Sequence, residues 1–216
     1  MGVEKDPISV VCFGDSLTRG FNPIDRSRYG HDVRWPRLLQ KELGADFYVV
    51  EDGLNGRTTV FEDPIMGDRN GLAHLRTALQ VHMPIDILVI MLGTNNLKRR
   101  FGLSAEEIAQ SLQHHIELAK KSNCGPDGNP PKVLLMSPPP LGDMEGTPFV
   151  SQFSDRSVQQ SHRLAEQYQL KAEEFDVAFF DTGTVISTSS IDAIHFDAEP
   201  QADLAKAVAE EVRKLV

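Results

Sequence analysis

The chain has 216 residues, of which 40% are hydrophobic and 25% charged, and its formal net charge is −9. This size and composition predict one soluble α/β domain that spans residues 1–216. The negative charge argues against nucleic acid and anionic membranes as partners, because neither would attract it.

Five short apolar runs recur along the chain and predict the strands of a sheet. The runs are continuous rather than alternating, which is typical of parallel strands that are covered on both faces. They span Ile8 to Phe13, Phe47 to Val50, Ile85 to Leu92, Lys132 to Ser137, and Val177 to Phe180.

Helical patterns fall between these runs. An apolar face from Trp35 to Leu43 predicts the first helix, and a capping-box pair, Ser104 and Glu107, opens the next. A third pattern covers Leu164 to Ala172, and Pro200 can begin the last helix. Strands that alternate with helices predict a doubly wound parallel sheet.

Polar or glycine-rich motifs follow four of the predicted strands. Parallel sheets of this kind bind ligands beyond the carboxyl ends of their strands, so we expect the functional site there. The loop from Pro138 to Pro148 and the stretch from Thr58 to Asn70 are placed to shape this face, whereas Asn123 to Pro131 should lie at the opposite end. The motifs are Gly14-Asp15-Ser16, Gly53-Leu54-Asn55-Gly56, Gly93-Thr94-Asn95-Asn96 and Ser137-Pro138-Pro139-Pro140.

Ser16 is the candidate nucleophile, since it stands directly after the first strand. A serine there can equally be a helix N-cap or part of a phosphate-binding turn. The sequence lacks the Gly-Lys-Ser/Thr of a P-loop and the Gly-x-Gly-x-x-Gly of dinucleotide binding. It also lacks the Gly-x-Ser-x-Gly elbow, because Thr18 stands at the second glycine.

His195 is the candidate base, and Asp192 is the carboxylate that could orient it. A spacing of three residues lets a tight turn bring the carboxylate to Nδ1 and leave Nε2 free to take the serine proton. The alternative is a capping aspartate beside a solvated histidine. Asp181, directly after the fifth strand, competes for the acid role, but we interpret it as a turn or cap residue.

Three donors could stabilise an oxyanion at the same sheet edge. They are the backbone N–H groups of Ser16 and Gly56 and the side-chain amide of Asn95. Gly53 and Gly93 are interpreted as residues of tight strand-to-helix turns.

The remaining cations and cysteines give little indication of a ligand. Lys98, Arg99 and Arg100 form a short basic run that we interpret as surface. Arg19, Arg34, Arg57 and Lys98 could also fringe the site. No metal-ligand spacing is present, so we predict neither a metal nor a cofactor.

Only Cys12 and Cys124 are available for a disulfide, and Cys12 lies in an apolar run. A disulfide framework is therefore not expected. Residues 1–7 lack the features of a leader, and no stretch could span a bilayer. We expect a cytoplasmic protein.

Together these motifs resemble the four blocks of the SGNH (GDSL-type) hydrolases. The blocks occur in order as Gly14-Asp15-Ser16-Leu17, Gly56, Gly93-Thr94-Asn95 and Asp192-x-x-His195. Within that family, the chain resembles the arylesterase/acyltransferase branch most. The segments that carry this resemblance include Asp32-Val33-Arg34-Trp35, Met91-Leu92-Gly93-Thr94-Asn95 and Val185-Ile186-Ser187-Thr188.

The resemblance implies a flavodoxin-like, three-layer α/β/α sandwich with a five-stranded parallel sheet. It implies Ser16, Asp192 and His195 as a catalytic triad, and Ser16, Gly56 and Asn95 as the oxyanion hole. It further implies hydrolysis of short acyl or aryl esters, acyl transfer to alcohols in some relatives, and assembly into a homo-oligomer. Phe149, Phe153 and Ile194 match apolar positions of the substrate channel.

Two residues depart from that branch. Arg19 occupies the position of a tryptophan in the transferring relatives and is expected to widen or wet the pocket. Asn96 replaces an aspartate, which should alter local hydrogen bonds.

The predicted function is that of a serine esterase acting on a small-molecule ester. Within enzymes, the alternatives are a carbohydrate acetylesterase and a lysophospholipase. From another class, the alternative is a non-catalytic flavodoxin-like binding module, in which Ser16 would be a turn residue.

Overall fold

The computed structural model describes residues 6–216. The prediction that the chain lacks a leader rests on residues 1–7, of which residues 1–5 lie outside the described part.

Five parallel strands form the central sheet, in the order β2-β1-β3-β4-β5. This order is that of the flavodoxin-like folds. The strand bounds agree with the five predicted runs to within three residues at each end. The strands are β1 (Ile8–Gly14), β2 (Phe47–Gly53), β3 (Ile87–Met91), β4 (Lys132–Ser137) and β5 (Ala178–Asp181).

Seven α-helices accompany the strands in the described residues. The predicted capping box is formed: Ser104 Oγ accepts from the Glu107 N–H, and the Glu107 carboxylate accepts from the Ser104 N–H. The helices are α1 (Ser16–Arg19), α2 (Trp35–Leu43), α3 (Gly71–His82), α4 (Ala105–Lys120), α5 (Asp155–Ser161), α6 (Leu164–Phe175) and α7 (Pro200–Arg213).

The helices cover both faces of the sheet and complete three layers. On one face, Val10 and Cys12 of β1 pack with Trp35 and Leu39 of α2 and with the apolar stripe of α7. On the other face, Val11 of β1 packs with residues of α3, α4 and α6. Because successive β1 side chains alternate between the two cores, the run from Val10 to Phe13 is apolar at every position. The predicted three-layer α/β/α sandwich is confirmed.

Loop placement follows from the parallel strands. The Cys124 carbonyl accepts from the Ile85 N–H at the amino end of β3, so the Asn123 to Pro131 loop lies away from the sheet edge that carries the four motifs, as predicted.

Among the helices of residues 6–216, none combines the length and the apolar character needed to cross a membrane.

Candidate active site

Ser16 begins α1 immediately beyond the carboxyl end of β1. The turn between the two elements is capped by Asp15, whose Oδ1 accepts from the Leu17 N–H at 2.9 Å. Trp35 Nε1 donates to the Leu17 carbonyl at 3.1 Å and secures the short helix to α2. Ser16 is therefore held at the sheet edge by contacts that leave its hydroxyl free for another partner.

That partner is His195. Its Nε2 lies 2.9 Å from Ser16 Oγ, although 179 residues separate the two in the chain. Its Nδ1 lies 2.6 Å from Asp192 Oδ2. The structure thus brings the three predicted residues together in the order hydroxyl, imidazole, carboxylate, which is the arrangement that activates a serine.

A strained tight turn creates the Asp192–His195 contact. Asp192 Oδ1 accepts from the N–H groups of Ile194 and His195 at 3.0 and 2.9 Å. Ala193 has a φ of +61°, in the left-handed region that non-glycine residues rarely adopt. Ser189 closes the loop, since it donates to the His195 carbonyl and accepts from the Ala193 N–H.

Hydrogen bonds keep Asp192 ionised. Burial raises the pKa of Asp192, but the hydrogen bond and charge of His195, together with two backbone donors, outweigh burial. The net pKa lies below the usual value, so a carboxylate faces His195. By contrast, Asp181 Oδ1 accepts from Ser137 Oγ and the Gly183 N–H, which is the capping role predicted for it.

The three predicted oxyanion donors line one cavity together with His195. Gly56 has a φ of +79°, in the left-handed region that favours glycine, and a Cβ there would lie 2.7 Å from the flexible end of Met66. Within residues 6–216, the N–H groups of Ser16 and Gly56 have no protein acceptor. Asn95 Nδ2 lies 3.1 Å from both Asp15 Oδ2 and the Arg57 carbonyl, which fixes the orientation of the amide.

Asp15 holds Asn95 from a fully buried position. Burial raises the pKa of Asp15 to about 6, although the Leu17 N–H and nearby cations lower it. Above that pH the ionised carboxylate accepts from Asn95, so the amide nitrogen, rather than the oxygen, faces Asp15.

Asn96 has a different role. Its Oδ1 accepts from the Thr59 N–H, and its Nδ2 donates to Thr59 Oγ1, so it contributes local hydrogen bonds as expected.

The cavity has a volume of about 190 Å³ and is mostly apolar away from its donors. The predicted channel residues Phe149, Phe153 and Ile194 all line it. Met66, from the stretch Thr58 to Asn70, lines it too. The full lining is Ser16, Phe21, Asn55, Gly56, Met66, Asn95, Lys98, Phe149, Gln152, Phe153, Ile194 and His195.

Two predictions about cations near the site are wrong. Arg19 is not among the residues that line the cavity, because the chain turns at Gly20 and places Phe21 there instead. Lys98 was assigned to the surface, but its side chain is 7% exposed and lines the cavity. Asp63, from a distant loop, lies 3.8 Å from its ammonium nitrogen.

Arg57 and Arg34 do not line the cavity; they lie beneath the loops at the carboxyl edge of the sheet. Arg57 donates to the Gly14 carbonyl and to Asp52, and its guanidinium packs 4.1 Å from the Phe13 ring centroid. Arg34 forms an ion pair with Glu51. Both arginines support the loops after β1 and β2.

Phe21 is a site residue that sequence reasoning missed. Its ring stacks on the His195 imidazole with centroids 4.1 Å apart and planes 27° apart, and Phe149 meets the same imidazole edge-on at 6.0 Å. Gly20, with a φ of +82°, makes the turn that directs Phe21 inward. The glycine after a short helical segment was the available signal.

The Gly93 turn positions Asn95 and leads to a prediction about stability. Gly93 has a φ of +124°, and a Cβ there would lie 2.0 Å from Tyr168 Oη, which donates to the Leu92 carbonyl. Gly93→Ala should therefore lower the free energy of unfolding by about 2 kcal/mol or more, measured by urea denaturation. The control is Gly102→Ala, which also has a positive φ, +64°, but nothing within 4 Å, and should cost about 1 kcal/mol. Equal losses in the two variants would contradict the steric explanation.

Within residues 6–216, no group of three or more His, Cys, Asp or Glu side chains is arranged to hold a metal ion.

The fold and these contacts define the class of protein: a serine hydrolase built on a parallel α/β sheet. Residues 12–204 match the GDSL-like lipase/acylhydrolase family, and the chain belongs to that family. It is a hydrolase of carboxylic esters, as predicted, and the non-catalytic binding module is not supported.

Solved structures of esterases resemble the chain over nearly its whole length. An aryl esterase of M. smegmatis with a bound inhibitor is 39% identical, with 97% of this chain and 100% of that chain covered and a TM-score of 0.92. A carbohydrate acetylesterase from Sinorhizobium meliloti is 36% identical at the same coverages, with a TM-score of 0.91.

A curated relative, an acetylxylan esterase of Xylanibacter ruminicola, is 25% identical over 93% of this chain. The chain spans 43% of the length of that relative.

Proposed function

We propose that the chain hydrolyses short-chain acyl or aryl esters through a covalent acyl-enzyme on Ser16. The observation that carries this proposal is the continuous contact from Ser16 Oγ through the His195 imidazole to the Asp192 carboxylate. A serine hydroxyl is a weak nucleophile unless a base takes its proton, and His195 Nε2 is within reach of that proton.

In the proposed acylation, Ser16 Oγ attacks the ester carbonyl carbon while its proton passes to His195 Nε2. The imidazolium that forms is stabilised by the Asp192 carboxylate and by the face of the Phe21 ring. His195 then donates the same proton to the departing alcohol oxygen as the C–O bond breaks. Water, activated by His195, releases the acid and restores the serine.

The tetrahedral intermediate needs donors for its negative oxygen. We assign that role to the Ser16 and Gly56 N–H groups, which lack protein acceptors in the described residues, and to the Asn95 amide. Two acceptors, Asp15 Oδ2 and the Arg57 carbonyl, hold the Asn95 amide nitrogen in the cavity wall, and we assign it a shared hydrogen bond to the oxyanion. Donors fixed before the reaction stabilise the transition state without reorganisation.

A prediction separates the two neighbouring asparagines. Asn95→Ala should lower kcat for 4-nitrophenyl acetate by about 10²- to 10³-fold, because an oxyanion donor is lost. Asn96→Ala should instead lower the free energy of unfolding by about 1–3 kcal/mol, because two buried bonds to Thr59 are lost, with little change in kcat. Equal kinetic effects in the two folded variants would contradict the role given to Asn95.

The cavity volume supports a small acyl group. At about 190 Å³ it lies below the usual range for sites that enclose drug-sized ligands, so acetyl to butanoyl groups should be preferred. The test is a series of 4-nitrophenyl esters of increasing chain length. Efficient turnover of the decanoyl ester would contradict this size limit.

A carbohydrate acetylesterase is the second candidate, and the similarity to such enzymes from Sinorhizobium meliloti favours it. Both candidates share the proposed chemistry and differ in the alcohol part. Acetylated xylo-oligosaccharide and phenyl acetate, compared by kcat/KM, distinguish them.

We also propose acyl transfer to alcohols, assembly into a homo-oligomer, a single domain over residues 1–216 and a cytoplasmic location. Light scattering would measure the assembly of copies. Ester products formed in added alcohol would measure transfer.

A further inference from the structure

Lys98 places a buried cation in the wall of the proposed active-site cavity. It follows the 3₁₀ turn Thr94–Leu97 that carries Asn95, and it lines the same cavity as Ser16. The other walls are largely aromatic and aliphatic. An ammonium group in such surroundings is costly unless an acceptor satisfies it.

The protein gives this ammonium little compensation. Asp63 Oδ2 lies 3.8 Å from Lys98 Nζ, beyond hydrogen-bond distance, and the same oxygen is bound by Arg100 Nη2 at 2.7 Å. Asp63 Oδ1 already accepts from the N–H groups of Ile65 and Met66. The other neighbour is Met66 Sδ at 3.8 Å, a weak acceptor.

The local charges do not cancel. Lys98 and Arg100 are two cations that share the carboxylate of Asp63, whose side chain is fully buried. Asp15 adds a more distant negative charge and Arg69 a further positive one, so a net positive charge remains around Lys98. Burial, and then repulsion from Arg100, lowers the pKa of Lys98 to about 8, so the group is largely charged at pH 7. One positive charge and most of the three ammonium donors therefore stay available to a ligand in the cavity.

We propose that Lys98 is a specificity-determining residue that binds a carboxylate on the substrate, so that the enzyme accepts esters carrying a negative charge near the scissile bond. This inference rests on the proposed esterase function and names a substrate class for it. The carboxylate could belong to the acyl group or to the alcohol. A cavity without the cation would reject either one, since it would bury an unpaired charge.

The test compares each carboxylate ester with an apolar ester of the same shape. For the acyl side, the pair is 4-nitrophenyl hemisuccinate and 4-nitrophenyl 4-methylpentanoate. For the alcohol side, the pair is 4-acetoxybenzoate and 4-isopropylphenyl acetate. The measured quantity is the ratio of kcat/KM within each pair, so that intrinsic reactivity cancels between variants.

Lys98→Met should lower this ratio about tenfold or more in one of the two pairs, because a charged hydrogen bond to the substrate is lost. Lys98→Arg keeps the charge and should keep most of the preference. Arg99→Met is the matched control: it removes the same charge from the next, exposed residue and should leave both ratios unchanged. The pair that responds identifies the side of the ester that carries the carboxylate.

Unchanged ratios in a folded Lys98→Met, or equal changes in Arg99→Met, overturn the proposal. If Lys98→Met does not fold, the wild-type protein provides the test. At least one carboxylate ester should then have the same kcat/KM as its apolar isostere. If both carboxylate esters have a kcat/KM a hundredfold lower than their isosteres, the proposal is overturned. Ser16-dependent hydrolysis of 4-nitrophenyl acetate is measured alongside. Its absence would refute the esterase proposal itself, which keeps the two failures distinct.

Discussion

Replacement of Ser16 by alanine should lower kcat for 4-nitrophenyl acetate by about 10⁵-fold or more, because no other hydroxyl contacts His195 Nε2 in the described structure. The fold should be retained, since the contacts that hold the turn involve Asp15 and the Leu17 backbone rather than the serine hydroxyl. The measurement is steady-state hydrolysis, with circular dichroism to verify folding.

Ser190→Ala is the control for this change, because Ser190 is exposed. It should retain full activity. A folded Ser16→Ala protein with activity within tenfold of the wild type would contradict the assignment of the nucleophile.

The second large effect is expected for Asp192→Asn, with kcat reduced by roughly 10⁴-fold. Asp192 Oδ1 accepts from two backbone N–H groups, so the oxygen of an asparagine would stay there and its NH₂ would face His195 Nδ1. The imidazole would then accept at Nδ1 and carry its proton on Nε2. That tautomer cannot take a proton from Ser16.

Asp181→Asn is the matched control, because Asp181 is the other candidate for the acid role and, like Asp192, accepts from the backbone of a turn. Both of its side-chain bonds are accepted by Oδ1, which an amide oxygen can replace. Its kcat should stay within about threefold of the wild type. If Asp181→Asn lost activity and Asp192→Asn kept it, the assignment of the acid would be wrong.

Much of the fold could be predicted because its signals are local. Continuous apolar runs marked all five strands, and the Ser104–Glu107 pair marked the start of α4. Helix α5 was missed because its residues, Asp155–Ser161, are mostly polar and carry no apolar stripe. Helix α3 was also not assigned, although Asn70 caps it through two backbone N–H groups.

The candidate site could be predicted where strand ends and short spacings placed its groups. The Asp192–His195 contact lies within one turn, and parallel strands bring Ser16 and Asn95 to one edge. The burial of Lys98 could not be predicted, because its neighbours Asp63 and Met66 come from a loop 35 and 32 residues earlier in the chain. Phe21 replaced Arg19 in the cavity because one left-handed glycine redirects the chain.

The most direct test of the reactive serine is covalent labelling with a fluorophosphonate, followed by peptide mass spectrometry. An activated hydroxyl attacks the phosphorus and displaces fluoride, so a single adduct on the peptide containing Ser16 is the expected result. Asp192→Asn should slow its formation strongly. Labelling at another residue, or no adduct on Ser16 in a protein that hydrolyses 4-nitrophenyl acetate, would contradict the account.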